Sequence, residues 1–292
     1  MPSNFPSRVA DHAITLSQVL RFATSSKHPQ RRKIALAYLL VRLRLGISKK
    51  MGKPTDRFSL LGTRIRFSDP GTLEYVFREV FIEECYAGCP IAPSTILDCG
   101  SNIGMSILYF KSCWPDAKIT GVEASPGTFA LLKENAGGLK DVKLINKAVG
   151  DKGGMISFYT VPGLGVSSTN PMRGVGKETA VEAAPLSDFI DGPLDLLKID
   201  IEGSETAAFE ELEASGKMPL IGFMFIEYHH HLPGEDHGLS SFLSRLERCG
   251  FDYETASFMP KAAGGFQDIV IRAWRRNNSV PIGIEQKAWK TA

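Results

Sequence analysis

From Pro90 onward, short apolar runs alternate with stretches of helical spacing, and this alternation is the dominant pattern of the chain. Thr95-Ile96-Leu97 reads as a short buried strand ending at Asp98, and Met105 to Lys111 as the helix that follows. Lys118 to Val122 gives a second strand ending at Glu123, then come a helix from Pro126 to Asn135 and a strand from Val142 to Asn146. The alternation resumes with strand Leu194 to Ile201, helix Ser204 to Ala214, strand Ile221 to Tyr228 and helix Leu239 to Cys249, and closes with extended ends at Phe251–Thr255 and Asp268–Ala273. Strands that alternate with helices predict an α/β fold: a mostly parallel sheet with helices on both faces.

Two stretches depart from this rhythm. Between residues 150 and 193 the pattern gives one strand, Met155 to Tyr159, and a loop rich in Gly, Ser and Pro from Pro162 to Gly176. A loop of that length inside a domain is usually functional, and Ser167, Ser168, Thr169 and Asn170 are its candidates for a lid over a bound acceptor. Ahead of the alternating region, Phe58–Leu61 and Thr63–Ser68 read as a strand pair turning at Gly62. The spacing of Leu73, Val76, Phe77, Val80 and Phe81 then predicts a helix over Gly71 to Tyr86. Earlier still, Arg31 to Lys50 is rich in Leu, Ala and Arg and reads as a short helix with cationic ends. The boundaries so drawn are a basic N-terminal extension over 1–57, a main domain over 58–275 and a C-terminal tail over 276–292. No internal repeat is visible.

Composition narrows the class. With 43% hydrophobic and 23% charged residues in 292, the chain is an ordinary globular protein, and no run of 18 apolar residues exists to span a membrane. The formal net charge of +2 hides an asymmetry: residues 1 to 53 hold eleven Lys or Arg against Asp11 alone, so that segment carries +10 and the rest carries −8. A basic segment of this kind offers a peripheral contact with a membrane or an acidic partner, or packs on its own domain. Nucleic acid is not favoured as a partner. Five cysteines, an odd number spread along the chain, do not make a disulfide framework, and a reducing cytoplasm is the expectation.

The chemistry concentrates at the predicted strand ends. Asp98-Cys-Gly-Ser-Asn-Ile-Gly104 lies where the first parallel strand turns into its helix, the edge at which doubly wound folds bind ligands. Gly100 is expected to bring the backbone close to a ligand, and Gly104 to let the helix approach the strand. The spacing lacks the third glycine of a dinucleotide fingerprint, and its acid suits a cationic sulfonium cofactor better than a pyrophosphate. Glu123, at the end of the second strand, is placed to accept hydrogen bonds from the ribose hydroxyls of an adenosine.

The segments ILDCGSNIG, VEASPGTFALLKEN, NKAVGD and above all LLKIDIEGSE resemble the FkbM family of S-adenosylmethionine-dependent methyltransferases, from about Phe58 to Arg272. The resemblance implies a class I methyltransferase fold, Rossmann-like, with a seven-stranded mostly parallel sheet and S-adenosyl-L-methionine over the carboxyl ends of the first two strands. It also implies a cofactor pocket made of Asp98, Gly100, Ser101, Asn102 and Gly104 at the first turn and Glu123, Ala124 and Ser125 at the second. Lys147, Ala148 and Val149 would lie near the adenine.

At the ends of the fourth and fifth strands stand Asp200, Glu202 and Glu205, then Glu227, His229, His230 and His231. Methyl transfer to a hydroxyl needs the acceptor aligned and its proton removed. Asp200 is the first candidate for that work, with Glu202 and His229 as the further catalytic candidates, while Glu205 suits the start of the following helix. A divalent metal held by Asp200, Glu227 and His229 is the less favoured variant. The expected function is therefore O-methylation of a hydroxyl on a small metabolite such as a sugar or polyketide. The alternatives are a nicotinamide-dependent oxidoreductase and a non-catalytic adaptor acting through the basic segment.

Overall fold

The computed structural model describes residues 16–24, 26, 29–44, 57–60, 62–160, 167–168, 177–230, 238–258 and 267–276. By internal contacts the chain divides into two compact units, 1–87 and 88–292.

The first unit holds helix α1 (16–24), helix α2 (Gln30–Arg44), the antiparallel strands β1 (Arg57–Leu60) and β2 (Thr63–Arg66), and helix α3 (Pro70–Phe77). In α2, Leu36, Leu40 and Leu43 follow helical spacing and are buried. Asp69 caps α3 by accepting from the Thr72 amide at 2.7 Å, and Pro70 occupies the first turn, where its missing N–H costs nothing. The α-helix stops at Phe77 and continues as a π-helical turn, Arg78–Ile82, so the helix expected over Gly71 to Tyr86 changes its winding midway. Arg44 pairs with Glu74 at 2.7 Å, and Gln18 donates to Glu83 at 3.2 Å. These contacts tie α1 and α2 to α3 and the π-helical turn within the first unit.

The second unit carries two sheets. In chain order its elements are β3 (Thr95–Cys99), α4 (Met105–Cys113), β4 (Lys118–Val122), α5 (Pro126–Ala136) and β5 (Val142–Ile145). Then come β6 (Ala148–Gly150), β7 (Gly154–Thr160), β8 (Ser167–Ser168), β9 (Lys177–Pro185), β10 (Leu194–Ile199), α6 (Glu205–Ala214), β11 (Ile221–His230), α7 (Leu239–Arg248), β12 (Phe251–Phe258) and β13 (Gln267–Arg275). The large sheet runs β12-β13-β11-β10-β3-β4-β5, and β13 is antiparallel to both its neighbours. This is the seven-stranded class I methyltransferase sheet that the resemblance implies. Its central strands are buried on both sides, which is why Ile96-Leu97 and Leu196-Leu197 read as continuous apolar runs.

The smaller sheet, β6-β9-β7-β8, occupies the region where the pattern gave one strand and a loop. β9 pairs antiparallel with β7 from Lys177–Thr160 to Ala183–Gly154, and Val181 and Ala183 pack with Phe158 and Ala148 in a small core of their own. Ser167 and Ser168 pair with Thr160 and Tyr159, whereas Thr169 and Asn170 lie outside the described residues. Among the described residues no helix is long and apolar enough to cross a membrane.

Candidate active site

The ends of β3, β4 and β10, with the segment between β5 and β6, surround a pocket whose open space is about 580 Å³. From the first turn come Gly100 and Asn102, from the second Glu123 and Ala124, and from the third Lys147, Ala148 and Val149. Asp200, Ile201 and Glu202 form the opposite wall, and Thr128 and Phe158 complete it. Sequence reasoning missed Thr128, on the first turn of α5, and Phe158, whose strand belongs to the small sheet. Thr128 lies within the segment VEASPGTFALLKEN, whereas Phe158 belongs to none of the quoted segments.

The first turn is built by close backbone contacts. Gly100 and Ser101 both donate to the Val122 carbonyl at 2.9 Å, and the Ser101 hydroxyl donates to the Asp98 carbonyl at 2.9 Å. Gly100 has φ +79°, and a Cβ there would sit 1.7 Å from the carbonyl oxygen of Asp200. The close approach that requires glycine is thus to the neighbouring loop of the protein itself, in addition to the pocket. Gly104, at φ +95°, faces Leu132 of α5, where a Cβ would stand 2.9 Å from Cδ1. It therefore admits the neighbouring helix α5, where the sequence suggested its own strand.

Asn102 and Glu202 both line the pocket with left-handed backbone, φ +48° and +60°. Non-glycine residues held there are strained, a state that persists only where surrounding structure enforces it. At Asn102 the enforcement is visible: its amide donates to Glu123 Oε2 at 3.0 Å, and its own Oδ1 accepts from the Ile103 amide at 2.7 Å.

Glu123 is 8% exposed and accepts from two backbone amides, Asn102 at Oε2 and Ser125 at Oε1, the latter at 2.8 Å. Each oxygen keeps a second lone pair for a donor in the pocket. Burial pushes its carboxyl up to about 7, although the two amides and the Lys198 charge oppose the rise. A carboxyl that binds its proton more tightly when folded stabilises the fold at low pH. That contribution is complete below the ordinary value of 4.5 and is lost as pH rises through about 7. Thermal melts of the free protein should therefore show a fall in stability between about pH 5 and 7 that Glu123→Gln removes. If the two proteins lose stability in parallel over that range, Glu123 is not the group responsible.

Asp98, expected against the cofactor, lies beneath the pocket, fully buried. The register sets Lys198 of β10 opposite it, and the ammonium stands 3.3 Å from Asp98 Oδ1 and 3.3 Å from Asp200 Oδ2. Ser106 donates to Asp98 Oδ2 at 2.5 Å, while Lys198 also donates to the carbonyl of Gly100 at 2.7 Å. Burial disfavours the Lys198 charge, yet Asp98, Asp200 and Glu227 together hold its pKa above the ordinary lysine value. Lys198 was legible as a lysine inside an otherwise apolar strand, LDLLKI, but its partners were not. The remaining first-turn and second-turn candidates are structural in placement: Ser101 is buried, and Ser125 caps α5 by accepting from the Thr128 amide at 3.4 Å. The Cys99 thiol is buried, which pushes its pKa up.

On the other wall Asp200 and Glu202 face the pocket, and His229 lies behind them at 2% exposure. Its Nδ1 is 2.8 Å from Glu205 Oε1, and its Nε2 is 3.5 Å from Glu202, 3.8 Å from Glu227 and 3.8 Å from Asp268. Glu205, buried at 2%, also accepts from the amides of Gly203 and Ile201 ahead of α6. Burial works against its charge, but His229 and the backbone amides of Gly203 and Glu205 hold its carboxyl below the ordinary value. Glu205 thus does what a residue at a helix start does and also fixes the His229 ring. His230 points its ring toward Tyr228, with centroids 6.0 Å apart, and His231 lies outside the described residues.

Residues 98–253 match the model of the methyltransferase FkbM domain family. Methyltransferase 1 of Beauveria bassiana (strain ARSEF 2860) is 30% identical over 189 residues, which cover 54% of this chain and 74% of that protein. Methyltransferase sdnD of Sordaria araneosa is 31% identical over 171 residues, covering 45% of this chain and 66% of that protein. The 31-O-demethyl-FK506 methyltransferase FkbM of Streptomyces tacrolimicus is 25% identical over 191 residues, covering 52% and 73%.

Proposed function

Since the chain belongs to the FkbM methyltransferase family, we propose that it transfers a methyl group from S-adenosyl-L-methionine to a hydroxyl oxygen of a small metabolite. The observation that carries this reading is the two-sided pocket. One wall offers Glu123 at the end of β4, where an adenosine ribose is recognised in folds of this type. The other offers Asp200 and Glu202, a negative surface suited to a cationic sulfonium and to an acceptor's proton.

In this reading Lys147, Ala148 and Val149 flank the adenine, and Asn102 and the Gly100 backbone border the rest of the cofactor. The acceptor hydroxyl lies against Asp200. As its oxygen forms the new bond to the methyl carbon, the carbon–sulfur bond breaks and its electron pair stays on sulfur. The acceptor's proton passes to the carboxylate of Asp200, with Glu202 beside it. His229, behind the wall, positions Glu202 and is a positioning residue, not a group that touches substrate. The relative named 31-O-demethyl-FK506 methyltransferase supports oxygen as the accepting atom.

Transfer of isotope-labelled methyl from S-adenosylmethionine to a panel of hydroxylated acceptors tests the reading. Asp200→Asn should slow transfer about 10² to 10⁴-fold, the span of a lost acid–base group, while S-adenosylhomocysteine affinity stays within a few-fold. Label found on carbon or nitrogen, or full turnover by the variant, would contradict it.

A further inference from the structure

We infer that the wall opposite the ribose site holds a divalent cation, bound by Asp200, Glu227 and His229. This deepens the methyltransferase reading and rests on it for the ion's role. Each of the three side chains presents one ligand atom, and these atoms all lie within 4.8 Å of one another. They come from two adjacent strand ends, β10 and β11, so the sheet itself sets their spacing. A first-row cation bonds nitrogen and carboxylate oxygen at about 2.0 to 2.2 Å, so small side-chain rotations would close the donors on one ion.

Charge favours the same conclusion. Around this wall Lys198 and His229 are in ion-pair range of six carboxylates: Asp98 and Asp200 at the first, and Glu202, Glu205, Glu227 and Asp268 at the second. Carboxylates gathered this closely repel one another, and a bound cation would relieve that repulsion. Asp268 Oδ1 is buried, accepts no hydrogen bond and stands 3.8 Å from His229 Nε2. A cationic cofactor supplies only one positive charge.

The donors identify the class of ion. Two carboxylates with one imidazole suit a cation of the manganese type better than magnesium, which takes oxygen almost exclusively. The second nitrogen of His229 is bonded to Glu205, the arrangement that orients a histidine ligand and fixes which nitrogen faces the metal. Asp200 lies on the pocket wall, so the remaining coordination positions open toward the acceptor. A hydroxyl bound there would lose its proton more readily. With the ion in place, Asp200 holds the metal, and Glu202 beside it takes over the proton that Asp200 accepts in the metal-free reaction.

The test is a Mn²⁺ titration of the full chain, followed by electron paramagnetic resonance, with S-adenosylhomocysteine binding measured by calorimetry on the same samples. The expected result is one Mn²⁺ per chain, with affinity at least ~10-fold weaker in both Asp200→Asn and Glu227→Gln. Glu254→Gln, an exposed carboxylate paired with Arg272, should bind like the wild type. Thermal melts identify any variant that fails to fold, in which case manganese anomalous scattering from wild-type crystals locates the ion. No binding up to about 1 mM, or equal affinity in folded Asp200→Asn and Glu227→Gln, would overturn the inference. If S-adenosylhomocysteine binds and Mn²⁺ does not, the cation site falls alone. If Mn²⁺ binds at these residues and S-adenosylhomocysteine does not, it is the methyltransferase reading that falls.

Discussion

Lys198→Met should cost about 3 to 5 kcal/mol of stability, because it strips the buried Asp98 of its only ion-pair partner among the described residues and leaves a charge in the core. The methionine fills the volume of the lysine stem, so the loss reports charge and hydrogen bonding, not a cavity. Two backbone carbonyls, those of Cys99 and Gly100, lose a donor at the same time, and both belong to the turn that borders the pocket. S-Adenosylhomocysteine binding should weaken as well, since the Gly100 turn that borders the pocket loses the ammonium anchoring its carbonyl. Adding Asp98→Asn removes the stranded charge and should restore part of the stability, as measured by urea denaturation. If the double variant is no more stable than Lys198→Met, the ion pair is not what the lysine supplies.

Gly100→Ala is expected to be comparably severe for a different reason. The added Cβ would lie 1.7 Å from the Asp200 carbonyl oxygen, backbone against backbone, in a left-handed conformation that alanine avoids. Overpacking and the backbone penalty together cost about 3 kcal/mol or more. For a domain of this size that is a fall of about 6 to 12 °C in melting temperature. The two loops can relieve the clash only by separating, which moves Asp200 away from Asn102 across the pocket. Gly150→Ala is the control: its Cβ meets nothing within 4 Å, and stability should stay within about 0.5 kcal/mol of wild type. Retained melting temperature and cofactor affinity in Gly100→Ala would show that the turn is not locked to the β10 loop.

Much of this architecture was readable from the chain because its central strands are buried on both faces. Thr95-Ile96-Leu97 and Leu194 to Ile199 are nearly continuous apolar runs, and their ends at Asp98 and Asp200 mark the sheet edge without coordinates. β9 was not readable. Its sequence KETAVEAAP pairs small alanines with exposed glutamates, and its alternation is too weakly apolar to register, although Val181 and Ala183 do face a core. The site divides in the same way. Positions at strand ends, such as Glu123, Asp200 and Glu202, follow from topology, and all three border the pocket. Depth does not follow from topology. Asp98 and His229 stand one layer beneath the surface that their motifs suggested, because Lys198, about 100 residues away from Asp98, and Glu205 bind them from within. Such pairings depend on the register of strands distant in sequence, which no local pattern encodes.

The central claim is that the pocket between Glu123 and Asp200 receives an adenosyl sulfonium cofactor. Parallel calorimetric titrations of the full chain with S-adenosylhomocysteine and with NAD test it most directly. One S-adenosylhomocysteine should bind per chain, more weakly after Glu123→Gln, with no heat from NAD. Binding of NAD in its place, or S-adenosylhomocysteine affinity indifferent to Glu123, would contradict the account.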